Sequence, residues 1–119
     1  MNQNTPISHL NAAHYVWGTH CDGWHLVCTS ELSVIQERMP PGTHEKRHLH
    51  ERARQFFFVL DGEAILEVDG REHRLLPQQG LEVAPFCAHQ ILNRGNLDLN
   101  FLVISQPPSH GDRMIVANP

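Results

Sequence analysis

Cysteine is scarce and unpatterned in this chain of 119 residues: Cys21, Cys28 and Cys87 are odd in number, far apart, and form no C-x-x-C pair. That excludes a disulfide framework and points to reduced thiols in a cytoplasmic protein, each a small core residue rather than a ligand or nucleophile. Long apolar runs are missing, so no membrane span is expected, and the start MNQNTPISHL has neither the basic end nor the apolar core of a secretory leader. Basic charge is thin as well, with 9 Lys and Arg against 13 Asp and Glu and a net charge of −4. The one basic cluster, Lys46 and Arg47 with Arg52 and Arg54, is interleaved with Glu45, Glu51 and histidines, which leaves no electrostatic footprint for nucleic acid or an anionic membrane. Helical stripes longer than one turn, internal repeats and low-complexity tracts are also lacking.

What is present is a pattern of short strands and turns. The length suits one domain with one hydrophobic core. Asp22-Gly23, Asp61-Gly62 and Asp69-Gly70 each sit between strand-like segments, and Asp-Gly supplies the positive φ angles of a tight hairpin turn. Around them the sequence predicts strands near 13–18, 24–29, 31–39, 47–50, 55–60, 63–69, 72–76, 80–84, 88–93 and 97–105, an all-β sandwich or barrel. In LSVIQERM both parities carry apolar residues, with Leu32 and Val34 on one face and Ile35 and Met39 on the other. In QFFFVL, Gln55, Phe57 and Val59 share one face and Phe56, Phe58 and Leu60 the other, which predicts a strand covered on both sides. A second subunit, making a homodimer, would cover the outer face; a second sheet or the terminal segments are the alternative.

The stretch PGTHEKRHLHERARQFFFVLDG places histidines against that strand. His48 and His50 are two apart, so in a strand both imidazoles project to the same side and can reach one ion. Gln55 opens the next strand on the face of Phe57 and Val59, and His89 heads another strand in PFCAHQILN. The pair His48 and His50 alone is equally consistent with two solvated histidines at a strand edge.

The wider spacing is more specific. Gly42, five residues, His48-Leu49-His50, four residues, Gln55, six residues and Gly62 resemble the first signature motif of the cupin superfamily, whose usual form has Glu where Gln55 stands. His89 and, after three intervening residues, Asn93 resemble the end of the second signature. That second motif departs from the family at Gln78 and Phe86, where glycines are usual, and at Ala84, where proline is usual, while Gly80 and Pro85 keep its turn-forming character. The resemblance spans roughly residues 32–105 and implies a double-stranded β-helix, the jelly-roll barrel of cupins. One domain over 1–119 follows: N-terminal strands or arm at 1–30, barrel at 32–105, tail at 106–119. It further implies a divalent transition metal held by His48, His50, Gln55 and His89 in the barrel mouth. Three or four protein ligands leave open positions for water, dioxygen or substrate, and mixed N and O ligation suits Fe, Mn, Ni, Co or Zn. An amide at Gln55 leaves more positive charge on the ion than a carboxylate would. That predicts weaker metal binding than with Glu, a preference for an anionic substrate, and a more acidic bound water. Gln55 as a hydrogen-bonding neighbour of a three-histidine site is the alternative.

Other residues carry less. His44, Glu45 and Arg47 read as a solvated loop and strand edge, with His44 as an additional ligand the minor alternative. Cys87 is either a pocket-lining residue or a small buried thiol. THCDGWH, with His20, Cys21 and His25, reads as an ordinary hairpin near Trp17 and Trp24 rather than a second metal site. In the tail, Arg113 either clamps a substrate carboxylate across the barrel mouth or pairs with Asp112 in solvent. No general base stands out, although Glu63, Glu67 and Glu82 fall on strands. The functional reading is a metal-dependent enzyme acting on a small polar or anionic molecule, with a non-catalytic small-molecule binding or sensor barrel as the alternative.

Overall fold

The structure is a computed structural model that describes residues 5–118; residues 1–4 and 119, at the outer ends of the expected arm and tail, lie outside the described residues. Among the described residues there are eleven strands and no helix: β1 (Ala13–Trp17), β2 (Cys21–Cys28), β3 (Ser33–Met39), β4 (His48–Leu49), β5 (Arg54–Asp61), β6 (Ala64–Val68), β7 (Arg71–Leu75), β8 (Gly80–Val83), β9 (His89–Leu92), β10 (Leu99–Gln106) and β11 (Met114–Ile115). They form a six-stranded sheet in the order β1-β2-β3-β10-β5-β8 and a five-stranded sheet in the order β11-β4-β9-β6-β7. Every pairing is antiparallel. The two sheets share one core, to which Phe57, Val59, Phe101 and Val103 come from the first and Ala64, Leu66, Leu75 and Ile91 from the second. This is the jelly-roll architecture expected from the sequence, with the ten expected strands in place and β11 added.

Strand periodicity explains the layering. Along β10, Leu99, Phe101, Val103 and Ser105 are buried and the residues between them are only partly so, as a strand with one face in the core requires. On β5, Gln55, Phe57 and Val59 are buried as their parity predicts. The opposite face departs from the expectation of full cover: Phe56 is 38% exposed, and Phe58 and Leu60 are half-buried. Nothing among the described residues packs over this face completely. Phe56 and Phe58 stack at 6.1 Å between ring centroids, beside Ile104 and Leu102 on β10.

The three Asp-Gly pairs have three different uses. Asp69 and Gly70, at φ 51° and 87°, make the expected two-residue hairpin between β6 and β7. Gly62, at φ 81°, turns the chain from one sheet into the other, so Asp61-Gly62 is a crossover and not a hairpin. Asp22-Gly23 is no turn at all; it lies within β2, and the β1–β2 turn is made by Gly18 and His20, at φ 53° and 62°. Gly23 stands opposite Tyr15 on β1 and opposite Glu37 on β3. A Cβ at Gly23 would overlap the Tyr15 ring. Its lack of a side chain is what lets that ring lie across β2 and reach Glu37.

The family-departing residues of the second motif also have a physical account. Gln78 and Phe86 have φ of 69° and 68°, so the left-handed backbone that glycine would provide is kept by residues with side chains. Backbone bonds pin both: Gln78 N–H donates to Val59 O at 2.8 Å and Phe86 N–H to His50 O at 2.7 Å. Asn93 is buried and fastens the β9–β10 connection. Its Nδ2 donates to Met39 O and Leu97 O, both at 2.9 Å, and its Oδ1 accepts from Gly95 N–H at 3.0 Å.

Candidate metal centre

β4 is only two residues long, yet it carries the centre. His48 pairs directly across from His89 on β9, and His50 follows two residues later on the same side. All three rings are buried, with centroids 4.9 Å apart for His48–His50, 4.5 Å for His48–His89 and 5.6 Å for His50–His89. One ring nitrogen from each lies within 4.8 Å of the others.

Hydrogen bonds decide which nitrogens face inward. Nδ1 donates to a backbone carbonyl in every case: His48 to Lys46 O at 2.7 Å, His50 to Asp112 O at 2.6 Å and His89 to Cys87 O at 2.9 Å. A carbonyl only accepts, so the ring proton sits on Nδ1 and the Nε2 lone pair is left free. His50 Nε2 is buried with no partner among the described residues. A stranded acceptor of this kind is costly unless an ion or a water meets it. Gln55 Nε2 donates to Ser105 Oγ at 2.9 Å, which turns Oε1 toward His89 Nε2 at 3.1 Å. Two lone pairs therefore confront one another, an arrangement that a cation between them resolves. Burial pushes the His48 imidazolium down to about 3, helped by His89 and Arg113, and that of His89 to about 4, helped by His50. Both rings are neutral at physiological pH, as metal ligation requires. By donor type, burial and the unpartnered nitrogen, the three imidazoles with Gln55 Oε1 suit a divalent transition ion.

His48, His50 and Gln55 open into a cavity of about 300 Å³ that is also lined by Tyr15, Glu37 and Glu45. Tyr15 Oη donates to Glu37 Oε2 at 2.8 Å. Burial pushes the Glu37 carboxyl up to about 7, against the pull of the Tyr15 hydrogen bond and Arg113. Glu45 is pushed up to about 8 by burial first and then by Glu37, although Ile91 N–H donates to its Oε1 at 3.1 Å. The Tyr15 hydroxyl is shifted upward by burial and by Glu37. The cavity thus holds two carboxyl groups that exchange protons near neutrality, which the sequence reading did not single out. The signal for Glu37 was present: it shares parity with Ile35 and Met39, so it points inward with them. The sequence predicts a solvated loop and strand edge for Glu45 and Arg47, whereas Glu45 lines the cavity and Arg47 turns into the protein. Arg47 is buried and its Nε donates to Glu67 Oε1 at 2.7 Å.

The acidic residues noted from the sequence are elsewhere. Glu63 and Glu82 form exposed ion pairs with Arg74 and Arg54, and Glu67 is buried against Arg47. His44 is exposed and outside the imidazole cluster. Cys87 packs against the core and Cys21 is buried, whereas Cys28 is exposed, contrary to expectation. The segment with His20, Cys21 and His25 belongs to the β1–β2 hairpin, but the turn is at residues 18–20 and not at Asp22-Gly23 as the sequence suggests. In the tail, Asp112 does not pair with Arg113; its carboxylate accepts the backbone N–H groups of Glu51, Arg52 and Ala53 at 2.9, 2.9 and 3.0 Å. Ser109, His110, Gly111 and Arg113 line the cavity.

The chain belongs to the cupin family: the Cupin domain model (Cupin_2) matches residues 35–105. A curated relative, the uncharacterized protein MJ1618 of Methanocaldococcus jannaschii, is 27% identical over 85 residues, which cover 71% of this chain and 68% of that one. Among solved structures, the fold is similar to a predicted oxalate decarboxylase from Thermotoga maritima, with a TM-score of 0.80 and 18% identity over 87% of this chain and 100% of that one. It is also similar to a sugar phosphate isomerase of the cupin superfamily from Silicibacter pomeroyi, with a TM-score of 0.77 and 21% identity over 87% of this chain and 76% of that one. No helix among the described residues is long and apolar enough to cross a membrane.

Proposed function

We propose that this cupin is a metal-dependent enzyme acting on a small polar or anionic molecule, with iron, manganese, nickel, cobalt or zinc held by His48, His50, His89 and Gln55 Oε1. The observation that carries the reading is the set of three buried imidazoles, each fixed through Nδ1 so that Nε2 turns to a common point, beside a cavity that His48 and His50 share with Glu37 and Glu45. An ion there would act as a Lewis acid toward an oxygen of the bound molecule. The chain's own groups supply the rest. Glu37, held by Tyr15, takes a proton from the bound molecule or gives one to it, and Glu45 accepts or replaces that proton. Arg113 at the cavity wall offers a guanidinium to a carboxylate or phosphate. Trp17, Ile35, Phe57 and Val103 line the remainder with apolar surface that limits water.

Residues 1–119 form one domain in this reading, and the protein is cytoplasmic. It pairs as a homodimer through the outer face of Phe56, Phe58, Leu102 and Ile104, so its sedimentation mass is twice 13.6 kDa. A mass of one chain rejects the dimer.

Glu37→Gln removes the proton-carrying oxygen at nearly constant size. Metal-loaded wild type and variant are compared on sugar acids, sugar phosphates and short hydroxy- and keto-acids in deuterated water, read by proton NMR. Wild type converts a member of the panel or exchanges its carbon-bound protons, and the variant is slower by about 10²-fold or more with the same metal content. Equal rates in the variant remove Glu37 from the chemistry. Saturable binding by the wild type with no exchange or turnover favours the binding barrel instead.

A further inference from the structure

The tail is built into the centre rather than laid over it. β11 pairs with β4, placing Ile115 opposite His48 and Met114 opposite Leu49. Val116 N–H donates to Arg47 O at 2.9 Å, and Arg47 Nη1 returns a bond to Ala117 O at 2.9 Å. Ahead of this strand, Asp112 makes two kinds of contact. Its carboxylate collects the three successive N–H groups of Glu51, Arg52 and Ala53, the connection between His50 and Gln55. Its main-chain carbonyl accepts the proton of His50 Nδ1 at 2.6 Å.

These contacts differ from those at the other two histidines. His48 and His89 bond to carbonyls two residues back in their own segments, at Lys46 and Cys87, so the acceptor for each Nδ1–H is local, with Arg113 Nη2 also 3.5 Å from His48 Nδ1. His50 depends on a carbonyl 62 positions away, at the far end of the chain. The Asp112 side chain fixes where that carbonyl stands, because it anchors the residue to the backbone that immediately follows His50. Asp112 is buried, its carboxyl is held below the ordinary carboxylate range by the N–H donors despite the opposing effect of burial, and among the described residues it has no salt-bridge partner. A buried, unpaired carboxylate with three backbone donors is a specific anchor.

We propose that Asp112 is a positioning residue for the metal centre: by docking the tail onto residues 51–53 it sets the tautomer and orientation of His50 and thereby the affinity for the ion. The inference rests on the metal reading of the three imidazoles. Carbonyl partners of this kind change ligand basicity and orientation, and losing one typically weakens metal binding by about 10–100-fold.

The test uses the full chain labelled with nitrogen-15 at histidine, with Zn(II) as the probe. Asp112→Ala shifts the metal-free His50 signal away from the Nδ1–H tautomer, leaves His48 and His89 in it, and weakens Zn(II) binding by about 10–100-fold against a competing chelator. Asp112→Asn keeps one acceptor oxygen and falls between, which gives a reading should the alanine variant fold poorly. Met114→Ala, an exposed change in the same tail, leaves both readouts at their wild-type values. Unchanged His50 tautomer and Zn(II) affinity within twofold of wild type in both Asp112 variants overturn the proposal. So does an equal disturbance of all three histidines, which marks general loosening. If the wild type binds no Zn(II), the metal reading fails by itself, and the His50 signal still decides whether Asp112 positions that ring.

Discussion

Changing both His48 and His50 to alanine is expected to abolish binding of Co(II) and Zn(II) while leaving the barrel folded. The two rings supply two of three convergent nitrogens, and a site reduced to His89 and Gln55 has too few donors to hold a divalent ion against water. The effect on stability separates a metal site from ordinary core histidines. In the wild type, His50 Nε2 is buried without a partner among the described residues, a state that costs about 1–3 kcal/mol. Removing that ring therefore relieves the metal-free protein at the same time as it opens space. An ion at a thousand times its Kd adds about 4 kcal/mol to the stability of a protein that binds it. Added Co(II) should thus raise the melting temperature of the wild type strongly and that of the double variant not at all, as read by thermal denaturation with and without chelator.

The same rings set the direction of the acid response. The imidazoles of His48 and His89 titrate near 3 and 4 when folded, below the ordinary value of 6.5. Between those limits the unfolded chain binds more protons than the folded one. The metal-free protein therefore loses stability as pH falls below about 6.5, and the loss is complete once the folded rings also protonate.

Glu67→Ala is expected to cost about 3 kcal/mol, since removing one partner of a buried ion pair leaves the other charge stranded. Arg47 and Glu67 are 8% and 5% exposed, with Nε to Oε1 at 2.7 Å and Nη2 to Oε2 at 3.2 Å. The pair joins β6 to the residue before His48, and Glu67 also accepts Gly70 N–H at 2.6 Å in the hairpin turn. Burial acts to raise the Glu67 carboxyl, but Arg47 and Gly70 outweigh it and hold the group below its usual range. This contribution is present above the ordinary carboxylate range and is lost as pH falls through the lowered value. Differential scanning calorimetry at neutral pH should show a melting temperature lower by about 10–20 °C. A change within about 2 °C would mean that the pair is solvated and adds little.

The fold was legible because strand periodicity is local and repeated. Alternation in QFFFVL places Phe57 and Val59 inward with no knowledge of what they meet, and the spacing of His48, His50, Gln55 and His89 was enough to bring the cupin barrel into view. Asp22-Gly23 was misread because a turn signal and a close-approach glycine are identical in sequence; only the ring of Tyr15, eight residues away, tells them apart. Glu37 went unnoticed because a charged residue on an apolar face looks like an interruption of the pattern, whereas its parity places it in the cavity. The docking of Asp112 onto residues 51–53 is long-range, and no local pattern encodes it. Gln78 and Phe86 show the reverse: the backbone takes left-handed turns at two positions where the sequence offers no glycine to signal them.

The most direct test of the central claim is elemental analysis of the untagged protein, as purified and after reconstitution with iron, manganese, cobalt, nickel and zinc in turn. Close to one transition-metal ion per chain, retained through gel filtration and missing from the His48, His50 double variant, is the predicted result. No retained metal under any of these conditions would contradict the account and leave a barrel that binds small molecules through its side chains alone.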